Sequence, residues 1–154
     1  GKPKVDCARE RLLGLNSDIT VNTYRQKLQA DNARELIAQY DIVVDGTDNA
    51  AVRYVISDVC VALGKTYVYG AICGFEGQVS VLCRGKATYR ALYPEEQELK
   101  DAHAAKAVIG VTPAIVGSVE AAQVLQLICG YGEPLIDKLW TIDLRTMQTF
   151  VIRV

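Results

Sequence analysis

A short apolar run, Asp41-Ile-Val-Val-Asp45, passes through Gly46-Thr-Asp-Asn49 into an amphipathic stretch over residues 50–63. The run is too short for a helix, is β-branched and is closed by an acid at each end. It reads as a parallel strand covered on both faces. In the stretch that follows, Val52, Val55, Ile56, Val59 and Leu63 share one helical face, Arg53 and Asp58 leave it, and Gly64 closes it. Residues 67–72 supply the next strand of the crossover unit. A strand–helix–strand unit places the chain in the α/β class. It also sets Asp48 at the carboxyl end of a buried strand, the crevice where open α/β sheets bind nucleotides.

The remaining pattern extends this unit on both sides. Val5, Ala8 and Leu12 recur at helical spacing up to Gly14, which predicts a helix over 4–13. Residues 19–24 are a strand candidate, and 32–39 hold good helix formers. From Gly77 the reading changes, because 78–83 follows the previous strand through a short Gly-containing turn and so pairs antiparallel with it. Residues 85–109 show little periodicity and many charges, and are read as a long crossover loop. An apolar helix is expected over 113–129, ended by Gly130, with Glu120, Gln123 and Gln126 as a narrow polar stripe. So narrow a stripe implies burial on most sides, in the core or a subunit interface. Trp140, Ile142 and Leu144, then Phe150, Ile152 and Val154, alternate across Arg145-Thr146 and predict a terminal hairpin with one buried face.

With 154 residues, half of them apolar, the chain suffices for one domain, 1–154, that buries roughly two-thirds of its unfolded surface. A formal charge of −1 gives no electrostatic case for nucleic acid or a membrane surface, and the apolar stretches read as too short and Gly-broken to span a bilayer. Five widely spaced cysteines without C-x-x-C read as reduced core thiols of a cytoplasmic protein. None of the twelve glycines forms G-x-G-x-x-G or G-x-x-x-x-G-K, the loops that let a backbone approach phosphates. The chain also opens in a helix without preceding strand–helix units. It therefore reads as the C-terminal part of a Rossmann-like doubly wound sheet, N-terminally truncated, in which parallel strands are followed by antiparallel ones and the hairpin.

Six stretches together resemble the ThiF/MoeB/HesA family, whose fold is shared with the adenylation domains of ubiquitin-activating enzymes. They are Gly1-Lys-Pro-Lys4, residues 41–49 with Arg53, Tyr69-Gly-Ala71, Phe75-Glu-Gly-Gln78, Tyr93-Pro94 and Gly110-Val-Thr-Pro-Ala-Ile-Val-Gly-Ser118. The resemblance implies magnesium-ATP as reactant and a ubiquitin-like sulfur-carrier protein whose C-terminal glycine is joined to AMP. By position it makes Asp48 the residue that helps hold magnesium and the phosphates, and Lys4 a phosphate contact, with Asn49 and Arg53 at the same site. Phosphoryl chemistry of this kind is mostly positioning and charge neutralisation. The apolar helix and hairpin add the expectation of a homodimer.

Each residue also has a plainer role: Asp48 as a helix cap, Lys4 as a solvated terminal lysine, Asn49 as a turn former and Arg53 as a surface ion-pair member. Two departures narrow the chemistry. Where many members carry the zinc-binding C-Y-R-C-L-Y-P, this chain reads Thr88-Tyr-Arg-Ala91-Leu-Tyr-Pro94, so no zinc site is expected. Where the family often places a crossover-loop cysteine, the register gives His103, the single histidine, read as incidental. The competing reading is a non-catalytic relative that binds a ubiquitin-like protein or a second subunit.

Overall fold

The computed structural model describes residues 1–94 and 107–154. Helix α1 (Lys4–Leu15) leads through an irregular segment to α2 (Ala30–Ala38), β1 (Ile42–Val44), α3 (Ala50–Leu63), β2 (Thr66–Cys73) and β3 (Glu76–Leu82). The one-turn helix α4 (Tyr89–Leu92), the long helix α5 (Val111–Cys129) and the hairpin β4 (Lys138–Asp143) and β5 (Gln148–Arg153) complete it. The five strands form one sheet in chain order. β1 and β2 are parallel, with Ile42 opposite Thr66 and Val44 opposite Val68, and every later pairing is antiparallel. This is the expected change from parallel to antiparallel strands.

Alternation along β2 divides the layers. Tyr67 and Tyr69 join Tyr54, Leu82 and Tyr89 in the core beneath α2, α3 and α4. The Tyr89 ring meets Tyr54 at 4.8 Å and Tyr69 at 5.3 Å between centroids, both edge-on. Gly70 and, on the neighbouring strand, Gly77 point to the other face, where α5 lies so close that a Cβ on either would collide with Glu120 or Val116. Gly77→Ala is therefore expected to force α5 off the sheet at a cost of about 1–3 kcal/mol, read as a lower urea midpoint with unchanged m.

Several expectations need correction. Residues 19–24 form no strand: β1 is the edge of the sheet among the described residues, and this segment is held by side chains instead, Arg9 Nε donating to Val21 O at 3.1 Å and the Tyr24 hydroxyl to Gln39 Oε1 at 3.2 Å. For the same reason β1 is only partly covered, with Val44 exposed. The 85–109 stretch is not all loop, since Thr88 caps α4 and Tyr89 anchors it in the aromatic core, while Val108 bridges to Gly74. Residues 95–106 of that stretch, His103 among them, lie outside the described residues.

Helix α5 is not buried on most sides as expected, and it is the polar stripe that turns inward. Glu120 and Gln123 are buried with Thr112 and Val116, while Val111, Leu125 and Ile128 face outward. The small residues Gly70 and Gly77 let this helix approach the sheet, and Gln123 Oε1 accepts from Leu135 N at 2.7 Å in the segment before β4. By length and composition α5 is long and apolar enough to cross a membrane, contrary to the sequence reading, but here it packs on β2 and β3. The hairpin lacks its expected buried face on β5, where every residue is exposed, because α5 covers only the middle strands. Of the cysteines only Cys60 is buried and Cys83 half-buried; Cys7, Cys73 and Cys129 are exposed and all five are free.

Candidate functional site

The site is built where β1 stops and β2 continues. Asp45 extends the parallel ladder by one bond, its N–H donating to Val68 O at 2.9 Å. Its carboxylate is buried and fully engaged. Oδ2 accepts from Arg53 Nε at 2.9 Å and from the Tyr67 hydroxyl at 2.8 Å, and Oδ1 accepts from Thr47 N at 2.7 Å. Arg53 in turn donates through Nη2 to Thr47 O at 2.6 Å and to Gly70 O at 3.4 Å, and its guanidinium lies 5.5 Å from the centre of the Tyr69 ring. One arginine thus ties the end of β1, the following turn and β2 together.

The electrostatics match the geometry. Burial pulls the Arg53 pKa down, but the Asp45 carboxylate and the surrounding tyrosines raise it further, so Arg53 stays a cation. Burial and Asp45 together push the Tyr67 hydroxyl well above its ordinary value, which keeps it a proton donor to the carboxylate.

This cradle fixes the turn that carries Asp48. Helix α3 is capped by Asn49, whose side chain accepts from Val52 N at 3.4 Å, so the capping role weighed for Asp48 falls to its neighbour. Asp48 is left exposed on the wall of a cleft of about 760 Å³. The cleft runs from Asp45 past Gly70 and across the sheet to Phe150 on β5. On its tyrosine side Gln78 Nε2 donates to the hydroxyls of Tyr69 at 2.8 Å and Tyr93 at 2.5 Å, fixing both rings. On the α5 side the Glu120 carboxyl lies over the Gly70 backbone and is only 7% exposed. Its Oε1, like Thr47 Oγ1, has no hydrogen-bond partner among the described residues. Burial, reinforced by Asp45 and opposed by Arg53, raises the Glu120 pKa to about 7.

Of the four residues singled out in the sequence, Asp48 and Arg53 line the cleft, Asn49 caps the helix behind it, and Lys4 opens α1 away from the lining. Arg53 is not on the polar side of α3. It turns inward because Asp45 is buried at the strand end and needs a counter-charge. Asp45 and Glu120 are the residues that pattern reading missed as site members. For Asp45 the signal is an acid closing the strand and an arginine one turn into the next helix, eight positions later; Glu120 gave none beyond its place in the polar stripe. The two positions that hold cysteines in many members form a capped turn instead, Thr88 Oγ1 accepting from Ala91 N at 3.2 Å.

A partly parallel, partly antiparallel sheet with an acidic turn at the open end of its parallel pair defines an α/β protein whose cleft lies beyond the carboxyl ends of its parallel strands. The chain belongs to the ThiF family, whose model matches residues 1–154. It is 40% identical over 151 residues to a sulfur carrier protein adenylyltransferase of Thermus thermophilus, covering 93% of this chain and 56% of that protein. It is 38% identical over 135 residues to a probable molybdopterin-synthase adenylyltransferase of Pyropia yezoensis, covering 85% of this chain and 36% of that protein. A crystal structure of E. coli MccB with AMPCPP and MccA superposes with a TM-score of 0.85 at 18% identity, over 99% of this chain and 48% of that one, and shows the shared fold. The chain thus spans between about a third and just over half the length of these relatives.

Proposed function

We propose that this chain is part of an adenylyltransferase that uses ATP to activate the C-terminal glycine of a ubiquitin-like sulfur carrier. The observation that carries the reading is Asp48: a carboxylate relieved of capping by Asn49, held on the cleft wall by the Asp45–Arg53–Thr47 cradle. In the reaction the carrier carboxylate attacks the α-phosphorus and pyrophosphate leaves, so the protein's task is to hold two anions together.

Magnesium takes one or two carboxylates, waters and substrate phosphates, and the single exposed carboxylate of Asp48 fits that donor set. Bound there, the ion would neutralise phosphate charge. Arg53 acts through the turn as a positioning residue, and Lys4 has the phosphate-contact role that the family resemblance gives it. The substitution of Thr88 and Ala91 for thiols supports a site without zinc. The outward face of α5 and the exposed apolar residues of β5 support a homodimer, and the unpaired thiols suit the cytoplasm.

Carrier-dependent exchange of pyrophosphate into ATP tests the reading, with this chain alone and joined to a candidate N-terminal ATP-binding portion. Exchange is expected in the joined protein and should fall at least about 100-fold in Asp48→Ala. Intact carrier binding with no exchange in any form would instead make the chain a binding module, the reading favoured by the absence of a cysteine between residues 95 and 106.

A further inference from the structure

We infer that Glu120 is a positioning residue of this site: when neutral, its carboxyl leaves Arg53 to hold the turn that carries Asp48, and when ionised, it draws Arg53 away from that turn. The inference rests on the function just proposed and deepens it by giving the site a control of its own.

The geometry at Gly70 brings the two groups together. β1 makes its last ladder bond from Asp45 N to Val68 O. Two residues further along the same edge of β2, the Gly70 carbonyl accepts from Arg53 Nη2, so the guanidinium stands where a continued β1 would pair. The Glu120 carboxyl covers that same glycine from the α5 face, so closely that a Cβ there would collide with it. Its Oε1 is buried without a donor among the described residues.

A carboxylate in that place needs a counter-charge. Glu120 is the only charged residue of α5. Among the described residues the charged groups that face it are Asp45, which raises its pKa, and Arg53, which lowers it. The strands beneath the helix bring none, since β2 presents Gly70 to the carboxyl and β3 meets α5 through Gly77 under Val116. Asp45 is itself an acid, which leaves Arg53 as the group that an ionised Glu120 engages.

The hydrogen bonds of Arg53 are not equally easy to give up. Nε donates to the Asp45 carboxylate at 2.9 Å, whereas Nη2 donates to two neutral carbonyls, Thr47 O at 2.6 Å and Gly70 O at 3.4 Å. A carboxylate outcompetes carbonyls for such a donor, because charge-assisted hydrogen bonds are about twice as strong. The guanidinium therefore keeps Asp45 and turns Nη2 towards Glu120. Thr47 O loses its donor, and the turn with Asp48 loses its tie to β2. Burial holds the Glu120 proton up to about pH 7, so this exchange of partners falls near neutrality.

Hydrogen exchange with mass spectrometry tests the inference on the full-length protein, without nucleotide or magnesium, at pH 6 and pH 8 with labelling times corrected for the intrinsic rate. Protection of the amides of residues 46–49 is expected to fall about 10-fold over that interval in the wild type, within the usual size of coupling between two sites. In Glu120→Gln it should change by less than about 2-fold. Glu120→Leu also lacks the charge, and carries the test if the glutamine variant does not fold. Peptides from β3 report global opening. A fall of the same size in β3, or an equal fall at 46–49 in wild type and variant, overturns the inference. Pyrophosphate exchange on the same proteins gives the second readout. From pH 6 to pH 8 the wild-type KM for magnesium-ATP should rise about 10-fold more than that of Glu120→Gln, with kcat changing little. An equal rise in both overturns the positioning role. The two failures are distinguishable: no pyrophosphate exchange in any form, with hydrogen exchange as expected, overturns the proposed function and leaves the coupling of Glu120 to Arg53 standing.

Discussion

Truncating Arg53 to alanine is expected to lower the unfolding free energy by about 3–5 kcal/mol, the loss that follows when one partner of a buried ion pair is removed. The side chains of Arg53 and Asp45 are 8% and 0% exposed, so the carboxylate left behind can recover little hydration. The damage extends beyond the pair. Arg53 also supplies the donors to Thr47 O and Gly70 O, and its removal unties the turn carrying Asp48 from β2. Against a total stability of about 5–15 kcal/mol, the variant should lie close to unfolding at 37 °C. Arg53→Lys keeps the charge but not the planar fork, and should fall between wild type and alanine. Removing both charges, as Asp45→Asn with Arg53→Met, should recover part of the alanine loss because no buried ion remains uncompensated. Urea unfolding of the four proteins decides the matter. A cost below about 1 kcal/mol for Arg53→Ala would mean that the pair is solvated and that the cradle does not fix the turn.

How far the chain could be read from its residues depended on what each pattern encodes. The period of hydrophobicity located α3, β2, β3, α5 and the hairpin, because it reports which residues share a face. It does not report which face turns inward. On α5 the narrow polar stripe implies burial on most sides, yet the stripe itself holds Glu120 and Gln123 against the sheet and leaves Val111, Leu125 and Ile128 exposed. What decides this is the pair Gly70 and Gly77, on strands far in sequence from the helix they admit. The alternation of Phe150, Ile152 and Val154 likewise specified a strand, but a buried face needs a covering layer, and α5 does not extend over β5. Residues 19–24 had strand-like side chains and no ladder to join. At the site, Asp48 was legible because the end of a parallel strand is a defined place in the fold. The Arg53–Asp45 pair was not, since a buried charge reads as surface until its counter-charge from another element is known. That counter-charge is what turned Arg53 from a candidate ligand into the residue that positions one.

Glu120→Gln should convert a pH-dependent protein into one much less so. In the folded chain burial holds the Glu120 proton up to about pH 7, against an ordinary value of 4.5. Among the described residues the charged groups that face it are Asp45, at the end of β1, which raises its pKa, and Arg53, on α3, which lowers it; β2 presents Gly70 beneath the carboxyl. The folded state therefore binds this proton more tightly than the unfolded state, and its contribution to stability is fully present below about pH 4.5 and lost as pH rises through 7. A difference of this size corresponds to about 3 kcal/mol between the two ends of the window. Glutamine has the same shape and no charge to bury, so the variant should match wild type below about pH 4.5 and exceed it by up to about 3 kcal/mol at pH 8. Urea midpoints measured across that range test the expectation. Parallel curves for the two proteins would show that the Glu120 carboxyl ionises as freely as in water, which would require solvent to reach it through the cleft. A gain confined to high pH would show instead that at neutral pH and above the folded chain carries a buried negative charge at a cost to its own stability.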